Sequence, residues 1–234
     1  MRTEVEQGLL VLRGVRDFLA VTEIKPELGV IAKHVEELDE VIARLTADGV
    51  SQERNDRACR SLTRTARVQA HALRRVYLKP VARMGRKLFK NDPMLFRAVA
   101  MPPDRGYERL ILAANAMADE AASHRASFVA AGFGENFPNQ LKQAAELLRN
   151  SLDARRSHLG RRSAATLGMV QELVIGRELV RLLDALVMPW LEAHSRGQVG
   201  EWKTLTRFVR PAAVVEKAGG EAGALSASPE AHAA

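Results

Sequence analysis

Cysteine is almost absent from this chain of 234 residues, which contains only Cys59. A single cysteine excludes a disulfide within the chain and leaves no cysteine cluster for zinc or an iron–sulfur centre. We expect Cys59 to be a reduced, structural thiol in a cytoplasmic protein.

Long apolar runs and known catalytic signatures are also missing. No stretch of about 18 uncharged apolar residues occurs, so we expect no membrane-spanning helix. Acids near the N-terminus stand where a secretory signal would carry positive charge. The sequence has no glycine-rich phosphate loop, no nucleophile elbow and no His-Glu-x-x-His run. We therefore expect no cofactor, and an enzyme or a metal protein is the least favoured alternative.

The composition favours helices over sheets, because aromatic residues make up only 5% of the chain and alanine, leucine and arginine are abundant. Apolar residues recur at the helical period between proline and glycine breaks. We predict an all-α fold, an elongated four-helix up-and-down bundle in a single domain over residues 1–211. Its two long helical hairpins cover residues 26–91 and 105–195. An extra N-terminal helical segment precedes them, and residues 212–234 form a disordered tail.

Glycine and proline positions define the predicted breaks. Gly49 supplies a left-handed helix stop in the first hairpin, with Ser51 as the N-cap of the next helix. Pro80 lies inside that next helix and is expected to kink it or end it locally. Gly168 and Gly176 in the long last helix indicate a close helix crossing, because glycine in a helix costs about 1 kcal/mol relative to alanine.

Positive charge is concentrated between residues 51 and 91, which carry 12 basic and 2 acidic side chains, a net charge of +10. Six basic residues at steps of three and four share one helix face: Arg57, Arg60, Arg64, Arg67, His71 and Arg74. Such a face needs acidic neighbours, bound anions or an anionic partner to relieve its self-repulsion. In the predicted hairpin the adjacent helix supplies such acids, which are Glu36, Glu37, Asp39 and Glu40.

Arginine-rich faces suit nucleic acids, because a guanidinium group holds phosphate bidentately. The candidate phosphate-binding residues of the first stripe are Arg57, Arg60, Arg64, Arg67 and Arg74. A second cluster, early in the long last helix, adds Arg155, Arg156, Arg161 and Arg162. No aromatic platform accompanies them, so stacking of single strands gains no support. The alternative interpretation is a solvated face that neighbouring acids partly neutralise.

Trp202 follows the long last helix and has two interpretations. Its ring packs over the end of the bundle, or it anchors a partner at an interface, because tryptophan is enriched among binding hot spots. The sequence alone does not decide between them.

Three functional hypotheses remain open. The first is a non-enzymatic structural or protein-interaction module, with a protein partner or self-association through a bundle face. The second is a nucleic-acid-associated accessory protein that binds phosphates non-specifically through the basic helix face. The third is a helical-bundle metal protein or enzyme, which only the existence of such folds supports.

Overall fold

The computed structural model describes residues 3–22, 29–103 and 106–208. Within these ranges the chain is helical and has no strand, which confirms the all-α prediction. In chain order the helices are α1 (Thr3–Val21), α2 (Gly29–Ala72), α3 (Lys79–Leu88), α4 (Pro93–Ala98), α5 (Tyr107–Ser123), α6 (Arg125–Ala130), α7 (Phe137–His194) and α8 (Val199–Leu205). A π-helical segment, Leu73–Leu78, joins α2 to α3 without a break.

Two long helical rods run antiparallel along the molecule. The first rod consists of α2, the π segment and α3, and is about 90 Å long at 1.5 Å per residue. The second rod is α7, which has 58 residues. Side-chain hydrogen bonds join Gln52 to Thr166 and Asn55 to His158, so residue numbers rise along one rod as they fall along the other.

Each end of the paired rods has its own apolar core. One core joins α1 and α8 to the first part of α2 and the last part of α7, and it buries Leu12 and Leu45 completely. The other joins α5 to the end of α2, the π segment, α3 and the first part of α7, and it buries Leu73 and Leu110. These two cores fix the register of the rods, because α1 at one end and α5 at the other each pack against both rods.

A waist separates the two cores, formed by residues 51–60 of α2 and 155–167 of α7. Its contacts are largely polar. Asn55 is only 6% exposed, and its Oδ1 lies 2.8 Å from His158 Nδ1. The buried Cys59 thiol donates to the backbone carbonyl of Arg155 at 3.8 Å. The burial of Cys59 agrees with its predicted structural role.

The predicted turn at Gly49 is wrong. Helix α2 passes through Gly49 without interruption, and Gly49 itself is buried. Leu45 and Asn55, on either side of it, are buried as well. Packing along α7 therefore outweighs the roughly 1 kcal/mol that a glycine costs inside a helix. Residues 29–88 form one rod instead of the predicted hairpin, so the four-helix up-and-down arrangement is not formed in that part of the chain.

Gly168 and Gly176 mark close approaches to α7, as predicted. A Cβ atom at Gly176 would lie 2.8 Å from a methyl group of Leu12 and 3.3 Å from one of Val41. At Gly168 it would meet the carboxylate of Asp48. Glycine at these two positions lets α1 and α2 pack closely against the second rod.

Pro80 changes the helix type and does not end the helix. It has no N–H group for the carbonyl four residues earlier, and its ring would clash with that carbonyl in a regular α-helix. The chain adopts π-helical geometry over Leu73–Leu78 instead, and the Lys79 N–H bonds the carbonyl of Arg74, five residues back. The rod therefore takes up one extra residue at this point.

Two other helix ends have local causes. Asp92 caps α4 by accepting hydrogen bonds from the N–H groups of Met94 and Leu95. Gly132 has a φ of 94° and lies just beyond α6. The predicted tail, 212–234, lies outside the described residues, and the single-domain assignment stays a prediction.

Candidate nucleic-acid interface

The π segment determines which residues of the first rod face the core. The buried positions along this part of the rod are Ala66, Ala70, Leu73, Leu78, Val81, Ala82, Gly85 and Phe89. Apart from the adjacent pair Val81 and Ala82, their spacing is three or four residues except from Leu73 to Leu78, where it is five. The extra residue of the π turn therefore keeps one continuous face of the rod against the core.

The same extra residue aligns the basic side chains on the two sides of the π segment. In a regular α-helix with about 100° per residue, Lys79 would lie about 100° around the rod from Arg60. One inserted residue cancels this rotation. The residues brought into line are Arg57, Arg60, Arg64, Arg67, His71, Lys79, Arg83 and Arg86. We call them, together with Lys90 in the turn that follows α3, the basic face.

The basic face is exposed along its whole length. From Arg60 to Lys90 it spans about 45 Å at 1.5 Å per residue. The sequence has no acidic residue between Asp56 and Asp92, and the carboxylate of Asp92 is engaged in capping α4. The rod itself therefore supplies no negative charge to most of this face.

Within the described ranges, carboxylate partners are found only for the first turn of the basic face. Arg57 Nη2 lies 2.9 Å from Glu53 Oε1, and Arg60 Nη2 lies 2.8 Å from Asp56 Oδ2. Among the described residues, no carboxylate oxygen lies within 4.0 Å of the later arginine and lysine side chains, which are Arg64, Arg67, Lys79, Arg83, Arg86 and Lys90. No acid in the described part of the chain therefore relieves their mutual repulsion by direct pairing.

The acids expected to neutralise this face are elsewhere. Because α2 does not turn at Gly49, Glu40 lies 20 residues before Arg60 on the same rod, about 30 Å away. Glu40 instead pairs with Arg44 at 3.2 Å. Arg44 also contacts Glu172 at 2.9 Å, and that hydrogen bond raises the pKa of the Arg44 guanidinium. The predicted neutralisation by Glu36, Glu37, Asp39 and Glu40 is therefore wrong.

Arg74 departs from the predicted stripe. It lies within the π segment, is half-buried and has an interaction of its own. We therefore leave it out of the basic face.

The second arginine cluster meets the basic face at one point in the waist. Asp56 bridges the two rods, because its Oδ1 accepts from Arg162 Nη1 at 2.7 Å while Oδ2 faces Arg60. Arg60 and Arg162 line a groove of about 720 Å³ between α2 and α7, together with Thr166 and Leu167. These two arginines share a surface, which the sequence could not establish.

The other arginines of the second cluster lie away from this groove. Arg156 pairs with Asp153 at 3.3 Å and with Glu108 of α5 at 3.6 Å. Arg155 is half-buried and lines a smaller groove beside Tyr107. Arg161 is exposed, but it lies about 100° around α7 from Arg162. We therefore assign only Arg162 to the same surface as the basic face.

Trp202 belongs to an apolar core. Its side chain is completely buried, its Nε1–H donates to Asp184 at 2.7 Å, and its ring centroid lies 5.2 Å from that of Phe18. An anchor for a partner would have to be exposed. Of the two interpretations, packing over the end of the bundle is confirmed and the interface anchor is wrong.

Other kinds of site find little support in the described part of the chain. It has no group of three or more His, Cys, Asp or Glu side chains placed to hold a metal ion. None of its helices is long and apolar enough to cross a membrane. Comparison of the sequence with protein-family models, with curated proteins and with solved structures finds no match.

Sequence reasoning missed the alignment that Pro80 produces. On an ideal α-helical wheel, Lys79, Arg83, Arg86 and Lys90 rotate off the face of Arg60. A signal was present, because the apolar residues Leu73 and Leu78 are five apart just before a proline.

Proposed function

We propose that this protein binds the phosphate backbone of a nucleic acid along its basic face and has no catalytic activity of its own. The observation that carries the proposal is the row of exposed arginine and lysine side chains that continues past the π segment and has no carboxylate partner in the part of the chain that the structure describes. A row of this kind attracts a polyanion, because binding releases the counter-ions condensed on the phosphates.

The proposed ligand is double-stranded, and its recognition does not depend on sequence. The aromatic rings of this stretch do not form a stacking surface, because Tyr77 is half-buried and Phe89 is 8% exposed. Single-strand binders without sequence preference use exposed rings for stacking. Arginine and lysine contacts to phosphate position a duplex but do not read its bases.

An anionic membrane surface fits the same face less well. A helix that lies on a membrane inserts the apolar face opposite its basic residues. Here that opposite face is buried against α5 and α7, with Leu73 and Leu78 fully enclosed. The rod therefore has no free apolar face with which to enter lipid.

Binding of a labelled random-sequence duplex, measured at about 50 and 200 mM salt, tests the proposal. The variant carries Arg64→Glu, Arg67→Glu and Arg83→Glu, three residues without carboxylate partners. We expect its affinity to fall by at least ~100-fold at the lower salt, and the log–log salt dependence to become less steep by about three units. Anionic lipid vesicles and polyglutamate serve as competitor polyanions.

The matched control carries Arg54→Glu, Arg196→Glu and Arg207→Glu, which make the same charge change at exposed arginines outside the basic face. We expect it to bind nearly as well as the unsubstituted protein. Equal losses in the two triple variants would show an effect of net charge alone and would contradict the assigned face. Tighter binding to vesicles or polyglutamate than to duplex would contradict the assigned ligand.

The proposal keeps three predictions that the structure leaves open, namely the single domain, the cytoplasmic location and the disordered tail. It is also compatible with the first functional hypothesis, a protein-interaction module, because α7 exposes the apolar side chains of Leu167, Val170 and Val174.

A further inference from the structure

The exposed side of α7, which we call its outer face, carries an apolar patch that begins at Leu167, a residue that also lines the groove between α2 and α7. Leu167 is 63% exposed, Val170 is 43% exposed and Val174 is 48% exposed. They follow at steps of three and four residues, so they share one side of the helix. The alternating positions Ala165, Met169 and Leu173 are buried, which places the patch opposite the core. Aliphatic side chains grouped in this way mark a candidate contact surface.

This face is complementary to itself about Leu167. If two copies of α7 lie antiparallel with Leu167 at the centre, a residue before Leu167 lies level with the residue the same number of positions after it in the other copy. Ala164 then lies level with Val170, and Gly160 lies level with Val174, so a small side chain faces a larger one. Eleven residues out, Arg156 lies level with Glu178. All of these positions are exposed. Glu178 forms no ion pair with any described residue, whereas Arg156 also contacts Asp153 and Glu108 of its own chain.

We propose that the outer face of α7 binds a second copy of this chain in antiparallel orientation, with the two-fold axis at Leu167. An isologous interface of this kind uses the same patch on both subunits, so every contact occurs twice. The valines of one copy lie level with Gly160 and Ala164 of the other, which lets the helices approach closely. Arg156 of each copy lies level with Glu178 of the other, so opposite charges meet at both ends of the patch.

Charge along the whole helix favours the same orientation. Residues 142–163 of α7 carry six basic and two acidic side chains, a net charge of +4. Residues 171–192 carry two arginines and four acids, a net charge of −2. Antiparallel pairing sets the positive half of one copy against the negative half of the other, whereas parallel pairing would set like against like. The second copy is therefore the occupant that this face fits.

The mass of the full chain in solution, measured from roughly 1 to 100 µM protein by sedimentation or light scattering, tests the proposal. We expect a dimer that Leu167→Asp converts to a monomer with unchanged helicity. Leu112 of α5 is a matched control, because it is the same residue type and is also 63% exposed. Leu112→Asp should leave the dimer intact. A monomeric unsubstituted protein, or equal dissociation by both variants, would overturn the proposal.

A charge exchange tests the register. Arg156→Glu and Glu178→Arg should each weaken the dimer at least ~10-fold, because each sets like charges opposite each other at two places. The double variant restores opposite charges and should recover the dimer to within ~3-fold of the unsubstituted protein. A dimer that dissociates further in the double variant than in either single variant would contradict the register with Leu167 at the two-fold axis.

Discussion

Residues 29–48 and residues 57–88 belong to the same helical rod, yet their charges are arranged differently. The first stretch is mainly acidic, and several of its acids are paired, such as Glu40 with Arg44 and Glu37 with His34 at 2.9 Å. In the second stretch, the cations beyond Arg60 on the basic face have no such partners among the described residues. Side chains that are ion-paired within the chain contribute to the fold, whereas the cations without such partners are available to bind an anionic ligand.

The largest predicted effect is the difference in unfolding free energy between truncating a buried and an exposed side chain in this stretch. Leu73 is fully buried and Val76 is 61% exposed, although both lie in the π segment. We expect Leu73→Ala to lower the free energy of unfolding by ~2–5 kcal/mol, because it leaves a cavity in the core. Val76→Ala should change it by about 0.5 kcal/mol or less. Urea denaturation measures both, and comparable losses would show that the two sides are assigned wrongly.

The next effect tests whether the two stretches form one rod. Val50→Pro should lower the free energy of unfolding by ~3 kcal/mol or more, because proline removes a helical hydrogen bond and clashes with the preceding turn, while Val50 itself is 65% exposed. A helix stop at Gly49 would accept proline at the next residue at much smaller cost, because proline is common just after such a stop. Thermal denaturation followed by circular dichroism distinguishes the two cases. An unchanged midpoint would contradict the single rod and support the predicted hairpin.

A smaller effect is predicted for removing the last carboxylate that pairs with the basic face. Asp56 is the last acid before the unpaired stretch, and it holds both Arg60 and Arg162. We expect Asp56→Asn to free these two arginines and tighten duplex binding by ~3–10-fold, with a steeper salt dependence. A titration against labelled duplex measures the change. Weaker binding by a variant of unchanged helicity would show that Asp56 positions the arginines for the ligand.

The smallest effect concerns the kind of cation. We expect Arg64→Lys together with Arg67→Lys to weaken binding by less than ~10-fold, because charge is kept and only bidentate geometry is lost. The same titration measures the change. A loss as large as that of the glutamate variants would mean that the guanidinium shape, and not charge alone, carries the interaction.

The helical class and most helix positions follow from local patterns. The apolar period over α1 and α7, the cap at Asp92 and the glycines of the close crossings all act through neighbouring residues or one packed face. Gly49 could not be assigned in this way, because its helical state depends on burial against α7, which local sequence does not encode. The wrong expectation that Glu36, Glu37, Asp39 and Glu40 neutralise the basic face followed from the predicted turn at Gly49.

The candidate site was only half visible in the sequence. Arg57, Arg60, Arg64 and Arg67 share a face on any helix, so their alignment was predicted. The later cations join that face only because the π segment inserts one residue, and a periodic wheel cannot represent such an insertion. The contact between Arg162 and Asp56 joins residues 106 positions apart, which no local pattern reveals.

The salt dependence of duplex binding by the unsubstituted protein tests the central claim most directly. The uncompensated stretch offers six arginine and lysine side chains, and contact by four or more gives a log–log slope of about −4 or steeper. Affinity should then fall at least ~100-fold between about 50 and 200 mM salt. Absence of binding at the lower salt, or an affinity that does not respond to salt, would contradict the account.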